Sequence, residues 1–95
     1  MKIIWMPGAV ADLNQIGEYI NERNPAAAMR VVTDIRSAIE RLEQFPQLGY
    51  VSQTGNVRLM QIPGRPYLIP YKIVEDRIRI ISVFDERRER PENWE

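Results

Sequence analysis

Apolar residues recur at helical spacing twice in the first half of the chain. The first set, three or four positions apart, consists of Val10, Leu13, Ile16 and Ile20. This spacing puts all four on one face and predicts an amphipathic helix. Asn24 and Pro25 suit the N-cap and first position of a second helix, whose broad apolar stripe ends at Pro46. The short link between the helices predicts an antiparallel hairpin.

Four short apolar runs, bounded by turn-forming or charged residues, predict β-strands. They span residues 2–6, 57–62, 65–74 and 77–84. The third run carries Pro70, which cannot donate to a sheet ladder, so we expect a bulge or a missing ladder hydrogen bond there. In the fourth run, alternation places Arg77 and Arg79 on one face and Ile78, Ile80, Ser82 and Phe84 on the other. Residues 46–56 are rich in turn formers and predict a loop.

The order is therefore one N-terminal strand, a two-helix hairpin and three consecutive antiparallel strands. This order predicts an α+β fold, with the helices packed on one face of a single sheet. We expect the other face to remain open as a binding surface. Residues 1–95 form one predicted domain, in which 85–95 are a densely charged C-terminal tail.

Composition excludes several classes of protein. The chain has 95 residues, 44% of them hydrophobic, which suffices for one small domain with a core. It has no cysteine and no histidine, so we expect no disulfides, no thiol nucleophile, no metal site and no cofactor. Thirteen basic and thirteen acidic residues give a formal charge of zero, unlike most nucleic-acid binders, although a local basic groove remains compatible with it.

Neither a membrane span nor a signal sequence is predicted. No apolar run approaches the roughly 18 residues that a span needs, and the chain does not open with a charged and then apolar leader. These features indicate a cytoplasmic protein with no membrane partner.

Three ordered segments resemble the RelE/ParE superfamily of type II toxin–antitoxin toxins. The first consists of Ala11-Asp12-Leu13, Ile16 and Tyr19-Ile20. The second consists of Asn24-Pro25-Ala26-Ala27-Ala28, Ile39-Glu40-Arg41-Leu42 and Phe45-Pro46-Gln47-Leu48-Gly49. The third consists of Arg58, Tyr67-Leu68-Ile69-Pro70-Tyr71-Lys72 and residues 78–84. Together they span nearly the whole chain in the order of the superfamily.

The resemblance implies a small toxin that forms a hetero-oligomer with a cognate antitoxin protein. ParE-like members inhibit DNA gyrase, whereas RelE-like members cut mRNA in the ribosomal A site without a metal. Residues 66–72 are more similar to the ParE-like branch, and Leu68 stands where RelE-like members have arginine. We therefore expect a ParE-like growth inhibitor. The alternatives are a ribosome-dependent endonuclease and an antitoxin-binding domain without toxicity.

Two sets of site residues follow from these readings. If the chain is RelE-like, cations must stabilise the in-line phosphate during cleavage, and the candidate catalytic residues are Arg58, Arg87 and Arg88. Arginines that bind phosphate and aromatics that stack on bases would bind the target or RNA. These candidates are Arg65, Tyr71, Arg79, Arg90 and Trp94. A general base is harder to assign, because Asp85 or Glu86 would need a pKa raised by burial.

Each role has a structural alternative. Strand tyrosines are commonly core residues with a satisfied hydroxyl. Arginines on a sheet face or in a mixed-charge tail are commonly solvated or held in weak surface ion pairs. For Arg58 the structural alternative is an ion pair with Asp12 or Glu18.

Overall fold

The computed structural model describes residues 1–91 and 94. Within these residues the two predicted helices are present as α1 (Pro7–Asn21) and α2 (Pro25–Glu40). Asn24 caps α2 as predicted, because its side-chain oxygen accepts a hydrogen bond from the Ala27 N–H at 3.1 Å. The helix ends earlier than predicted and continues into a 3₁₀ turn (Arg41–Glu43). No helix of the described part of the chain is long and apolar enough to cross a membrane.

A single sheet is formed by six strands in the described residues. They are β1 (Lys2–Trp5), β2 (Tyr50–Val51), β3 (Arg58–Gln61), β4 (Tyr67–Val74), β5 (Arg77–Ile80) and β6 (Phe84–Asp85). Their order is β1-β5-β4-β3-β2, with β6 paired to β4. The three predicted C-terminal strands are antiparallel neighbours, whereas β1 pairs with β5 in parallel. β2 lies inside the predicted loop, so that part of the loop prediction was wrong.

A bulge separates β5 from β6. Tyr71 pairs with Ile80, and the next pair in the ladder joins Leu68 to Phe84. Two residues of β4 therefore face three residues, 81–83, on the other strand. One unmatched residue in an antiparallel ladder is the definition of a β-bulge. The disturbance predicted at Pro70 is thus confirmed.

The bulge also changes the direction of later side chains. The Pro70 carbonyl accepts a hydrogen bond from the Ile81 N–H at 2.9 Å, but proline has no N–H to return. Phe84 was predicted to face the same side as the isoleucines of β5. Instead it lies opposite Leu68 and joins a different cluster, because an inserted residue reverses the alternation of a strand.

The main core fills the space between the helices and one face of the sheet. Both helices, the 3₁₀ turn and the central strands contribute to it. Its buried members include Leu13, Val31, Ile35, Ile39, Leu42, Met60, Ile69, Tyr71, Ile78 and Ile80. Burial of apolar side chains at this interface is the dominant stabilising contribution to a fold of this kind.

The face of the sheet turned away from the helices, here called the outer face, is only partly open. Val57, Leu59 and Leu68 form a second buried cluster there. Phe84 and Trp94 pack against this cluster, with their ring centroids 5.1 Å apart in an edge-to-face arrangement. The prediction of an open face with the tail at its rim is corrected accordingly, because Phe84 and Trp94 cover the apolar cluster.

Candidate functional site

Arg58 and Tyr71 are cross-strand neighbours that together hold the turn after α2. The Arg58 Nη1 donates to the Gly49 carbonyl at 2.7 Å. The Tyr71 hydroxyl donates to the Pro46 carbonyl and accepts from the Gly49 N–H, both at 2.8 Å. Burial raises the pKa of the Tyr71 hydroxyl, although the hydrogen bond from Gly49 and the Arg58 charge act in the opposite direction. We call this set of contacts the Gly49 clamp.

Close packing at the clamp explains why glycine is needed there. A Cβ at position 49 would lie 2.7 Å from the Tyr71 Cε1 and 2.9 Å from the Leu59 carbonyl oxygen. Tyr71 is completely buried, so its ring has no free face on which a base could stack. Arg58 pairs with a backbone carbonyl and not with either of the acidic residues considered for it. The clamp is a structural element that uses two of the predicted site residues.

A groove of about 560 Å³ runs between α1 and the start of the C-terminal tail. Its lining includes Asp12, Tyr19, Tyr67, Asp85, Arg87 and Arg88. We call it the α1–tail groove. Arg87 and Arg88 are the predicted site residues that it brings together, whereas the clamp residues lie outside it.

Asp12 forms one wall of this groove and fastens α1 to the bulge. Its Oδ2 accepts hydrogen bonds from the Ser82 hydroxyl at 2.6 Å and from the Val83 N–H at 3.0 Å. A bulge leaves backbone groups without ladder partners, and the carboxylate supplies the missing acceptor. Arg58 was the partner considered for Asp12, and the contact of Asp12 with the bulge was not foreseen because the bulge lies 70 positions further along the chain. The one sequence signal for Asp12 was its position in the first segment that resembles the superfamily, Ala11-Asp12-Leu13.

Two of the charged groups in the groove, Asp85 and Arg87, are paired with each other. The Nε and Nη2 of Arg87 donate to the two carboxylate oxygens of Asp85 at 2.9 and 2.7 Å. This hydrogen bonding is the main reason why the pKa of Asp85 lies below its usual value. Burial and then the Asp85 charge raise the pKa of Tyr67. At neutral pH the carboxylate is therefore a weak base and the phenol is protonated, which does not favour proton transfer by either group.

The remaining predicted arginines are dispersed over the molecule. Arg65 donates twice to Asp34 Oδ2, at 3.0 and 2.8 Å, and so ties the turn before β4 to α2. Arg90 lies 3.7 Å from Glu86 in a surface ion pair. Arg79 is exposed on the outer face of the sheet.

Trp94 is half-buried in the cluster on the outer face, as described above. The eight predicted residues thus occupy the clamp, the groove, the outer face and the surface around them. They do not converge on one centre in the described part of the chain. Tyr19, which is 62% exposed beside the groove, was not predicted as a site residue.

Comparisons with known proteins agree with this architecture. Residues 3–90 match the family described as the ParE toxin of the type II toxin–antitoxin system parDE. The chain is 33% identical over 91 residues to the putative toxin Y4kP of Sinorhizobium fredii (strain NBRC 101917 / NGR234), which covers 96% of this chain and 94% of that protein. It is 28% identical over 82 residues to the toxin RelE2 of Caulobacter vibrioides (strain ATCC 19089 / CIP 103742 / CB 15), covering 86% of this chain and 91% of the relative.

A solved structure has the same fold. It is titled the chromosomal ParDE TA system from P. aeruginosa, and one of its chains superposes with a TM-score of 0.79 at 26% sequence identity. The match covers 87% of this chain and 92% of that chain. The similarity extends over nearly the whole domain, including the helical hairpin and the sheet.

Proposed function

The chain belongs to the ParE family of type II toxin–antitoxin toxins, and we propose that it arrests growth by binding its target rather than by cutting RNA. The target that the ParE-like resemblance implies is DNA gyrase. The observation that carries this proposal is that two of the three candidate catalytic residues are held by contacts within the fold. Arg58 holds a backbone carbonyl, and Arg87 is paired with Asp85.

The low basicity of the Asp85 carboxylate in the α1–tail groove supports the same proposal. RNA cleavage requires a base that removes the proton of a 2′-hydroxyl, and such a base works best with a pKa near the working pH. The pKa of Asp85 is lowered by Arg87, which moves it away from that range. Inhibition by binding needs no such group and can use the exposed side chains of Arg79 and Arg90 together with the half-buried Trp94.

The partner that neutralises the toxin would be a cognate antitoxin. The similar solved structure is titled a ParDE system, which supports a partner of the ParD kind for this chain. Exposed apolar residues around β2 suit such a partner. Phe45, Leu48, Tyr50 and Val51 are between 43% and 54% exposed, and β2 is an edge strand with an unpaired side. An extended segment would find both apolar contacts and strand pairing there.

Expression experiments test the toxin and antitoxin parts of the proposal. Induction of this chain alone should arrest growth, and co-expression of the product of the adjacent gene should restore it. The chain should also be more soluble in the co-expressing cells, because the partner covers the apolar edge. Normal growth after induction would contradict toxicity, and equal solubility with and without the neighbour would contradict the proposed docking surface.

A translation reaction with intact ribosomes tests the mode of action. We expect full-length mRNA after addition of the purified chain. Cleavage in the ribosomal A site would contradict the proposal and establish the endonuclease alternative. If cleavage occurs, the variant Arg88→Ala tests whether it depends on the groove. Arg88 lines the groove but makes no side-chain hydrogen bond that holds the fold together in the described residues.

A further inference from the structure

Basic side chains face one another across the strands on the outer face. Lys2 lies opposite Arg77, and Arg79 lies opposite Lys72. Directly opposed residues project from the same face of a sheet. Ile78, which lies between the two arginines, is part of the main core, so the four cations project outwards. We call them the basic patch.

This arrangement is unfavourable for the isolated fold, because like charges directly opposite one another destabilise a sheet. Lys2, Arg77 and Arg79 are exposed. Their charged groups form no hydrogen bond or ion pair with another group in residues 1–91 and 94. Lys72 has an interaction partner of its own, so the unneutralised charge is that of the other three. An anionic partner would remove the repulsion between them.

We propose that the basic patch binds the phosphodiester backbone of a nucleic acid. The planar guanidinium groups of Arg77 and Arg79 suit bidentate contacts with phosphate oxygens. The alternative, an acidic peptide, is less well accommodated. Arg77 and Arg79 lie on β5, which is paired with β1 and β4 and therefore offers no strand addition. β1 is an edge strand, but its unpaired side faces away from these two arginines. A phosphate backbone needs only the exposed cations. This inference does not rest on gyrase being the target.

Matched charge-removing variants test the patch. Arg77→Ala/Arg79→Ala removes two charges from the outer face. Arg30→Ala/Arg41→Ala removes two exposed charges from the helical side of the molecule. Fluorescence anisotropy would measure binding of the full chain to mixed-sequence single-stranded DNA, duplex DNA and single-stranded RNA, between about 50 and 200 mM salt.

The wild-type chain and the helical-side variant should bind at least one of these probes with a Kd of about 1–100 µM. The outer-face variant should bind about tenfold more weakly or worse, with a salt slope smaller by about 2. The three probes identify which nucleic acid is preferred. Equal binding by the two double variants would overturn the proposal. So would the absence of wild-type binding at about 100 µM, or tighter binding of poly-glutamate than of any nucleic acid.

A stability measurement separates a binding role from a structural one. Arg77→Glu places opposite charges across from one another at Lys2 and should leave the melting temperature unchanged or raise it. The same variant should lose nucleic-acid binding. A clear fall in its melting temperature would show that Arg77 stabilises the fold, and the inference from unfavourable charge placement would then be wrong.

Discussion

Asp12 and Tyr71 each bring a polar group to the boundary between the helical layer and the sheet. Asp12 accepts from a side-chain hydroxyl and a backbone N–H, whereas Tyr71 bonds two backbone groups. The carboxylate of Asp12 caps the bulge, and the hydroxyl of Tyr71 joins the turn after α2 to β4. A buried polar group that loses its partner costs much more free energy than an exposed one. These two residues therefore control how firmly separate segments of the chain are joined.

Tyr71→Phe tests the Gly49 clamp. The substitution keeps the ring in the core but leaves the Gly49 N–H and the Pro46 carbonyl without a partner. We expect the free energy of unfolding to fall by about 1–3 kcal/mol, as measured by chemical denaturation at neutral pH.

The pH dependence of the same variant provides a second check on the clamp. The pKa of Tyr71 is raised in the folded protein, so its contribution is fully present below about pH 10 and is lost as the pH rises further. The difference in stability between wild type and Tyr71→Phe should therefore shrink above that pH. A constant difference in stability between wild type and Tyr71→Phe across this pH range would contradict the raised pKa of the buried Tyr71 hydroxyl.

Asp12→Ala tests the attachment of α1 to the bulge. The loss of the acceptor for Ser82 and Val83 should lower the free energy of unfolding by about 1–3 kcal/mol. Asp34→Ala is the matched control, because it makes the same exchange within a helix and removes the exposed pair with Arg65, which should cost about 0–1 kcal/mol. Similar losses for both variants would contradict the role assigned to Asp12.

At the scale of elements, the β4–β5 hairpin contains local strain. Its two turn residues, Glu75 and Asp76, have φ angles of 51° and 60°. Both are therefore in the left-handed region that a type I′ turn requires, although Asn-Gly is the preferred pair there. We expect the replacement Glu75→Asn/Asp76→Gly to raise the free energy of unfolding by about 1 kcal/mol. Thermal denaturation would measure this, and a destabilised variant would contradict the turn geometry.

The elements differ in how well the sequence predicts them. Apolar spacing and the Asn24-Pro25 pair are local signals, so both helices were predicted near their observed positions. β2 has only two residues and lies among turn formers, so its existence depends on pairing with β3. The parallel pairing of β1 with β5 depends on contacts between opposite ends of the chain, which no local pattern encodes.

Pro70 shows where a local signal reaches its limit. The proline predicted a disturbed ladder, and the bulge confirms it. The consequence for Phe84 was missed, because the position of the extra residue in the neighbouring strand decides which face each later side chain occupies. The same shift places Phe84 where Trp94 can pack on it, so a one-residue irregularity determines how much of the outer face stays open.

At the scale of the whole molecule, the domain presents three different surfaces around one core. The edge at β2 is apolar, the α1–tail groove carries the Asp85–Arg87 ion pair, and the outer face combines an apolar cluster with the basic patch. The sequence supplied the residue types of these surfaces but not their grouping. Arg58 and Tyr71, which looked like members of a reactive site, belong to a structural clamp. Because these two residues hold the fold together and do not meet the other candidates at one reactive site, binding is the better-supported mode of action.

A supercoiling assay with purified components tests that mode of action most directly. A fixed amount of DNA gyrase and relaxed plasmid would be titrated with the purified chain. Inhibition by binding predicts that supercoiling activity falls in proportion to the toxin added, and that the neighbouring gene product restores it. Full gyrase activity at micromolar concentrations of the chain would contradict gyrase as the target and the account of this protein as a gyrase-binding toxin.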